Sequence, residues 1–201
     1  MDNDENQLRI YPVWSNFIYY IAGVYSLSIG IYYRKNIERS LLFTIFGILL
    51  LLTGTFSILY HVNTPSWTGN PDSIDDPEFQ RWLNVDSAFA VTTSVFAIFM
   101  LVVRIFRYHC VFIKSKKGII SYPLFYEPNF WFAILFIILS IIFYYLAHGY
   151  NTQAISCKGG RCFDTYIDSY DIFHSNWHIF TSTAGLFWIT FLNHSYMWNL
   201  Y

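Results

Sequence analysis

The chain has 201 residues, of which 55% are hydrophobic, 22% aromatic and only 12% charged. A soluble domain carries about 25% charged residues, so the composition rules out a disordered chain, argues against a soluble enzyme and indicates a membrane protein. The net charge of −1 excludes nothing by itself, and three cysteines are too few for a disulfide scaffold.

A transmembrane helix needs about 20 mostly apolar residues. Five segments meet that requirement: 13–33, 41–60, 83–103, 129–147 and 172–192. The expected fold is therefore all-α, a polytopic transmembrane helical bundle forming a single integral membrane domain. The first segment is not expected to be a removable signal peptide, because acidic residues precede it, its apolar run is long and no small-residue cleavage site follows.

An odd number of spans puts the termini on opposite faces, and Lys and Arg in short loops mark the cytosolic one. Arg34, Lys35, Arg39, Arg104, Arg107, Lys114, Lys116 and Lys117 all fall on one face, eight of the twelve basic residues. Arg9, Arg81, Lys158 and Arg161 fall on the other, together with Asp2, Asp4, Glu5, Asp72, Asp75, Asp76, Glu78, Asp164, Asp168 and Asp171. The N-terminus is expected to be exoplasmic and the C-terminus cytosolic, in a plasma membrane or endomembrane. The basic residues follow this topology rule and are not read as nucleic-acid binding. Cys157 and Cys162 lie in the exoplasmic loop before the last span, where they either form a disulfide closing a tight turn or stay as free thiols. Cys110 falls on the reducing side. The sequon Asn193-His194-Ser195 falls at the cytosolic end and should be unused.

Ionisable residues at a membrane boundary cost energy and need a reason to be there. Of six histidines, His61, His148, His174 and His178 fall on the exoplasmic side, while His109 and His194 sit at the opposite face. His174 and His178 are four apart, so on a helix both imidazoles leave one side about one turn apart. That spacing suits two ligands of one tetrahedral metal, and a catalytic zinc site takes three protein ligands and keeps a fourth position open. His61 closes the second span at the level where the fifth begins, and Asp86 lies one turn into the third span at that same level. Ser57 is one turn deeper than His61 on the same helix face. Asp171, three before His174, either accepts a ligand histidine's ring N–H or is a favourable charge at a helix N-terminus. His148 reads as an interfacial residue of an aromatic belt. Taken as spacing alone, His174 and His178 fit an interfacial role as well as a metal site.

These residues, in this order, resemble the CREST superfamily of membrane hydrolases, whose pattern is Ser-x-x-x-His in the second span, Asp early in the third and His-x-x-x-His in the last. Here they read Ser57-Ile-Leu-Tyr-His61, Asp86 in Trp-Leu-Asn-Val-Asp-Ser, and His174-Ser-Asn-Trp-His178. The local sequence is most similar to the branch of myomaker and a GPI-specific phospholipase A2. The resemblance implies Zn²⁺ held by His61, His174 and His178, with Asp86 and Ser57 positioning and polarising the attacking water. The family has seven spans and this chain five, two middle helices fewer, because Arg104 to Pro128 is too short and too polar for two crossings.

The expected function is a zinc-dependent intramembrane hydrolase of an ester or amide bond in a lipid or lipid-anchored substrate, with an apolar interior receiving the acyl chain. The alternatives are a non-enzymatic fusion or receptor protein with a structural zinc, and a degenerate truncated relative. A chain short of two helices could also complete its lipid cavity by oligomerising.

Overall fold

A computed structural model describes residues 10–63, 77–107, 110–115, 118–123, 127–157 and 160–197. Outside the described residues lie Asp2, Asp4, Glu5, Arg9, Asp72, Asp75, Asp76, His109, Lys116, Lys117 and Lys158. The first apolar stretch forms two helices, α1 (Ile10–Ser15) and α2 (Phe17–Tyr32), with a single turn residue, Asn16, between them. Then come α3 (Ile37–Asn63) and α4 (Pro77–Arg107), followed by β1 (Cys110–Ser115) and β2 (Gly118–Pro123). Two long helices, α5 (Pro128–Ser156) and α6 (Gly160–Met197), complete the bundle.

The helical bundle expected from the sequence is what forms. Among the described residues three helices, α3, α4 and α5, are long and apolar enough to cross a membrane. Helix α6 falls short on composition because it carries the polar face of His174, Ser175, Asn176, His178, Thr181 and Ser182. The connection rich in Lys and Arg between α4 and α5 pairs as an antiparallel hairpin, from Cys110 opposite Pro123 to Ser115 opposite Gly118. Its Val-Phe-Ile and Ile-Ile-Ser-Tyr runs are β-branched and aromatic, which suits strands.

Helix α3 packs against α2 and α4, and α6 packs against α5, α1 and α2. Helices α1 and α2 pack beside both α3 and α6, and α4 reaches α6 as well, where Trp188 Nε1 donates to the Ala97 carbonyl oxygen at 3.2 Å. Only 17% of the α4 span and 22% of the α5 span is buried. Exposed Val91, Val95, Ile98 and Val102 on α4, and Ile138, Ile141, Ile142 and Tyr145 on α5, give these helices apolar outer faces suited to a bilayer. One end of the bundle is a filled apolar core of Phe43, Phe46, Leu50, Met100, Phe130, Trp188 and Phe191. It is capped by buried Arg39, Arg104 and Glu127, the last accepting from Asn129 at 2.6 Å.

At the other end α6 starts at Gly160, eleven residues before Asp171, so Asp171 lies inside the helix rather than at its N-terminus. A 38-residue helix is about 57 Å long, well beyond a hydrocarbon core of about 30 Å. This extension packs against the end of α5 through Ala147, Ala154, Ile167 and Tyr170, and a Cys157–Cys162 disulfide joins the two helices. The cysteines are therefore bonded.

Close packing of α2 on α3 uses glycines seven residues apart on each helix, Gly23 and Gly30 against Gly47 and Gly54. Where lipid removes the hydrophobic drive between helices, small residues let backbones approach and gain van der Waals contact. A Cβ added at Gly47 would stand 2.8 Å from the Gly23 carbonyl oxygen, a backbone atom that cannot turn aside. Gly47→Ala is expected to cost about 1–3 kcal/mol as the helices separate, despite a gain in helix propensity of about 1 kcal/mol. Gly149→Ala, whose Cβ meets nothing within 4 Å, is the matched control. Unfolding midpoints in detergent decide the matter: equal midpoints for Gly47→Ala and wild type would contradict this packing.

Candidate metal centre

On α3 the residues Thr53, Ser57 and His61 recur every four positions and are all buried, forming one polar stripe. Helix α4 presents a single narrow buried stripe to its neighbour, beginning with Asp86 and continuing through Thr93 and Met100 at seven-residue intervals to Arg104. The two stripes are locked in register by Thr53 and Thr93, whose hydroxyls lie 2.7 Å apart. This bond holds Ser57 and Asp86 side by side one to two turns above it. Helix α6 contributes His174 and His178 from successive turns of its buried face.

The three imidazoles converge. Nε2 of His61 lies 3.2 Å from Nε2 of His174 and 3.4 Å from Nε2 of His178, and the last two are 2.9 Å apart. All three residues are buried, and His178 is only 3% exposed. Each nitrogen offers one in-plane lone pair or one N–H, so it cannot serve two neighbours at once. Three lone pairs aimed at a common point repel one another, and a cation at that point removes the repulsion. Two nitrogens bound at about 2.0–2.1 Å to one tetrahedral ion stand about 3.4 Å apart. The observed triangle reaches that separation on one edge and is slightly tighter on the other two. The cluster can therefore hold a metal ion.

The rings are held by aromatic neighbours. Tyr60 lies 4.9 Å from His61, Tyr170 5.0 Å from His174, and Trp177 4.7 Å from His178. Such a shell excludes water and strengthens electrostatic interactions inside it. With its Nε2 lone pair turned to the centre, His178 carries its proton on Nδ1, which is buried and has no hydrogen-bond acceptor.

Asp86 is buried, at 9% exposure, and its carboxyl stands outside the three-histidine cluster. Ser57, 1% exposed, has its hydroxyl beside that carboxyl but in hydrogen-bond geometry with no protein group. A buried hydroxyl without a partner costs about 1–3 kcal/mol, which a polar guest in the site would recover. Asp171 is partly buried, and its backbone carbonyl accepts from Ser175 Oγ at 2.6 Å. His148 is exposed and stacks on Tyr144, apart from the cluster. His194 lies at the far end, its Nδ1 3.3 Å from a Glu127 carboxylate oxygen.

One residue of the site is not legible in the sequence. Tyr19, on α2, packs its ring edge-on against His178 at 6.2 Å. It is one of 17 tyrosines. The nearest signal is Gly54, three residues before Ser57, where a Cβ would stand 3.0 Å from Tyr19 Cβ.

No family model, curated protein or solved structure matches this chain.

Proposed function

We propose that this chain is an integral membrane, zinc-dependent hydrolase cleaving an ester or amide bond in a lipid or lipid-anchored substrate, as its resemblance to the CREST superfamily implies. The observation that carries the reading is the convergence of three buried Nε2 atoms on one point, with a carboxyl and an unsatisfied hydroxyl nearby. His61, His174 and His178 hold the ion. Three imidazoles with a fourth position left open are the donor set of a catalytic zinc. Bound Zn²⁺ supplies Lewis acidity that makes water a competent nucleophile near neutral pH. Asp86, too far out to be a ligand, orients the attacking water and takes its proton. Ser57 donates its O–H to the substrate oxygen as negative charge develops there. The aromatic shell keeps bulk water from that oxygen, and the acyl chain lies along the apolar helices.

Orientation follows the basic-residue count, with the N-terminus exoplasmic, the C-terminus cytosolic and the site near the exoplasmic leaflet of a plasma membrane or endomembrane. The Cys157–Cys162 disulfide supports that assignment, since it belongs to an oxidising compartment. The test is metal analysis of detergent-purified protein together with hydrolysis assays on ceramide, phospholipid and a GPI-anchored protein, with and without a zinc chelator. Zinc-dependent release of product from one of them is the expected result. Zinc present without turnover on any of them counts against an enzyme.

The division of the three histidines between two helices, His61 on α3 and His174 and His178 on α6, favours a second reading. In a non-enzymatic protein of fusion or receptor type, the ion would be structural, joining α3 to α6. Chelation would then lower the unfolding midpoint and affect no reaction.

A further inference from the structure

Away from the metal centre, the first turns of α3 and the last turns of α4 leave a groove between them. It encloses about 420 Å³ and is lined by Glu38, Leu42, Phe99, Val102, Val103 and Phe106. That size falls in the range of small-molecule sites, about 300–1,000 Å³. Five of the six lining side chains are apolar, and Phe99, Val102 and Phe106 are exposed on the outer side of the bundle. A groove that opens on a membrane-facing surface meets hydrocarbon, so its occupant is an acyl chain.

The sixth lining residue is ionisable. Glu38 sits in the first turn of α3, where a helix N-terminus favours a carboxylate. That accounts for its place on the helix but not for its place in an apolar groove, where a charge needs partners. An ionised carboxylate has about four acceptor sites, enough to serve a ligand besides a protein neighbour. Arg34 and Lys35, four and three residues earlier, are exposed, whereas Arg39 and Arg104 are buried. Their turn is fixed by the N–H of Arg34 donating to the Ile31 carbonyl oxygen at 3.2 Å and that of Asn36 to the Tyr33 carbonyl oxygen at 2.7 Å. Within five residues of chain, the polar end of the groove thus offers two exposed cations and one carboxylate.

We propose that this groove binds an aminophospholipid, a glycerophospholipid whose headgroup carries a primary ammonium. The acyl chain lies along Leu42 and Phe99, the ammonium meets Glu38, and the phosphate meets Arg34 and Lys35. A primary ammonium donates three hydrogen bonds. The trimethylammonium of a choline headgroup has no N–H to donate, and a glycerol headgroup brings no cation. The groove lies at the opposite end of α3 from His61, so the proposal goes beyond the hydrolase reading and does not depend on it.

The experiment titrates detergent-purified full-length protein with phosphatidylethanolamine, phosphatidylcholine and phosphatidylglycerol of identical chains, and counts bound lipid by native mass spectrometry. Phosphatidylethanolamine is expected to bind about 10-fold more tightly than the other two, as a hydrogen bond between charged groups allows. Glu38→Gln should bring it down to the phosphatidylcholine level and leave phosphatidylcholine unchanged. Val102→Trp places an indole in the groove from an exposed position and should abolish binding of all three at an unchanged unfolding midpoint. Equal binding of the three lipids would mean chain contact without headgroup recognition and overturns the proposal. So does a preference for phosphatidylglycerol that survives Glu38→Gln, in which the two cations act alone. Binding undiminished by Val102→Trp puts the lipid elsewhere, and a dimer that excludes lipid makes the occupant a second copy; each overturns it too. Zinc chelation should change none of these results, so failure of the hydrolase reading and failure of this one are told apart.

Discussion

His174→Ala is expected to reduce bound zinc from one ion per chain to a trace, while the protein still inserts and elutes from detergent as a folded species. The size follows from the ligand count. Structural zinc sites bind with about 10–16 kcal/mol in all, so each ligand accounts for roughly 3–4 kcal/mol, or about 10²–10³-fold in affinity. His174 occupies two edges of the nitrogen triangle, at 2.9 and 3.2 Å, so its removal leaves only the 3.4 Å pair of His61 and His178. His61→Ala, on a different helix, should act equally. His148→Ala should retain full metal, because that ring is exposed and stacked on Tyr144 away from the cluster. Normal metal content in His174→Ala would end its assignment as a ligand.

Asp86→Asn is expected to separate binding from chemistry. The side chain keeps its shape and loses its charge and basicity. Zinc remains at one ion per chain at saturating metal, although affinity falls about 10-fold, as for other groups that orient a metal's surroundings. Turnover on whichever lipid substrate is found should fall by about 10²–10⁴-fold, the usual contribution of a general base. The loss should appear in kcat more than in KM, because Asp86 acts on water rather than on the acyl chain. Ser57→Ala should show a smaller loss of the same kind. A biological function that survives Asp86→Asn while depending on zinc would favour the structural role.

The parts of the site readable in the sequence are those set by helical period and membrane depth. His174 and His178 share a face because they are four apart on a helix, and the stripe of Thr53, Ser57 and His61 follows the same period. That His61 meets them follows from topology, since the end of one span and the start of another share a level. What was not readable depends on which helix lies between the others. Nothing in the sequence around Tyr19 distinguishes it from its sixteen fellow tyrosines, and only the packing of α2 on α6 brings it to His178. The extension of α6 back to Gly160 is also hidden, because the apolar stretch begins only at Ile172 and Asp164, Asp168 and Asp171 precede it. Its helical form rests on packing against the end of α5 and on the disulfide. The hairpin of β1 and β2 was obscured by the density of Lys and Arg around it.

The three donor atoms are unequally secured. Two ride on consecutive turns of one rigid rod, so their mutual spacing survives any displacement of that rod as a whole. The third belongs to a rod seated across a glycine seam. A methyl group at Gly47, which forces α2 and α3 apart, therefore moves the rod that carries one donor and spares the spacing of the other two. Damage to the glycine seam between α2 and α3 should register as a change in coordination number before any loss of helix content.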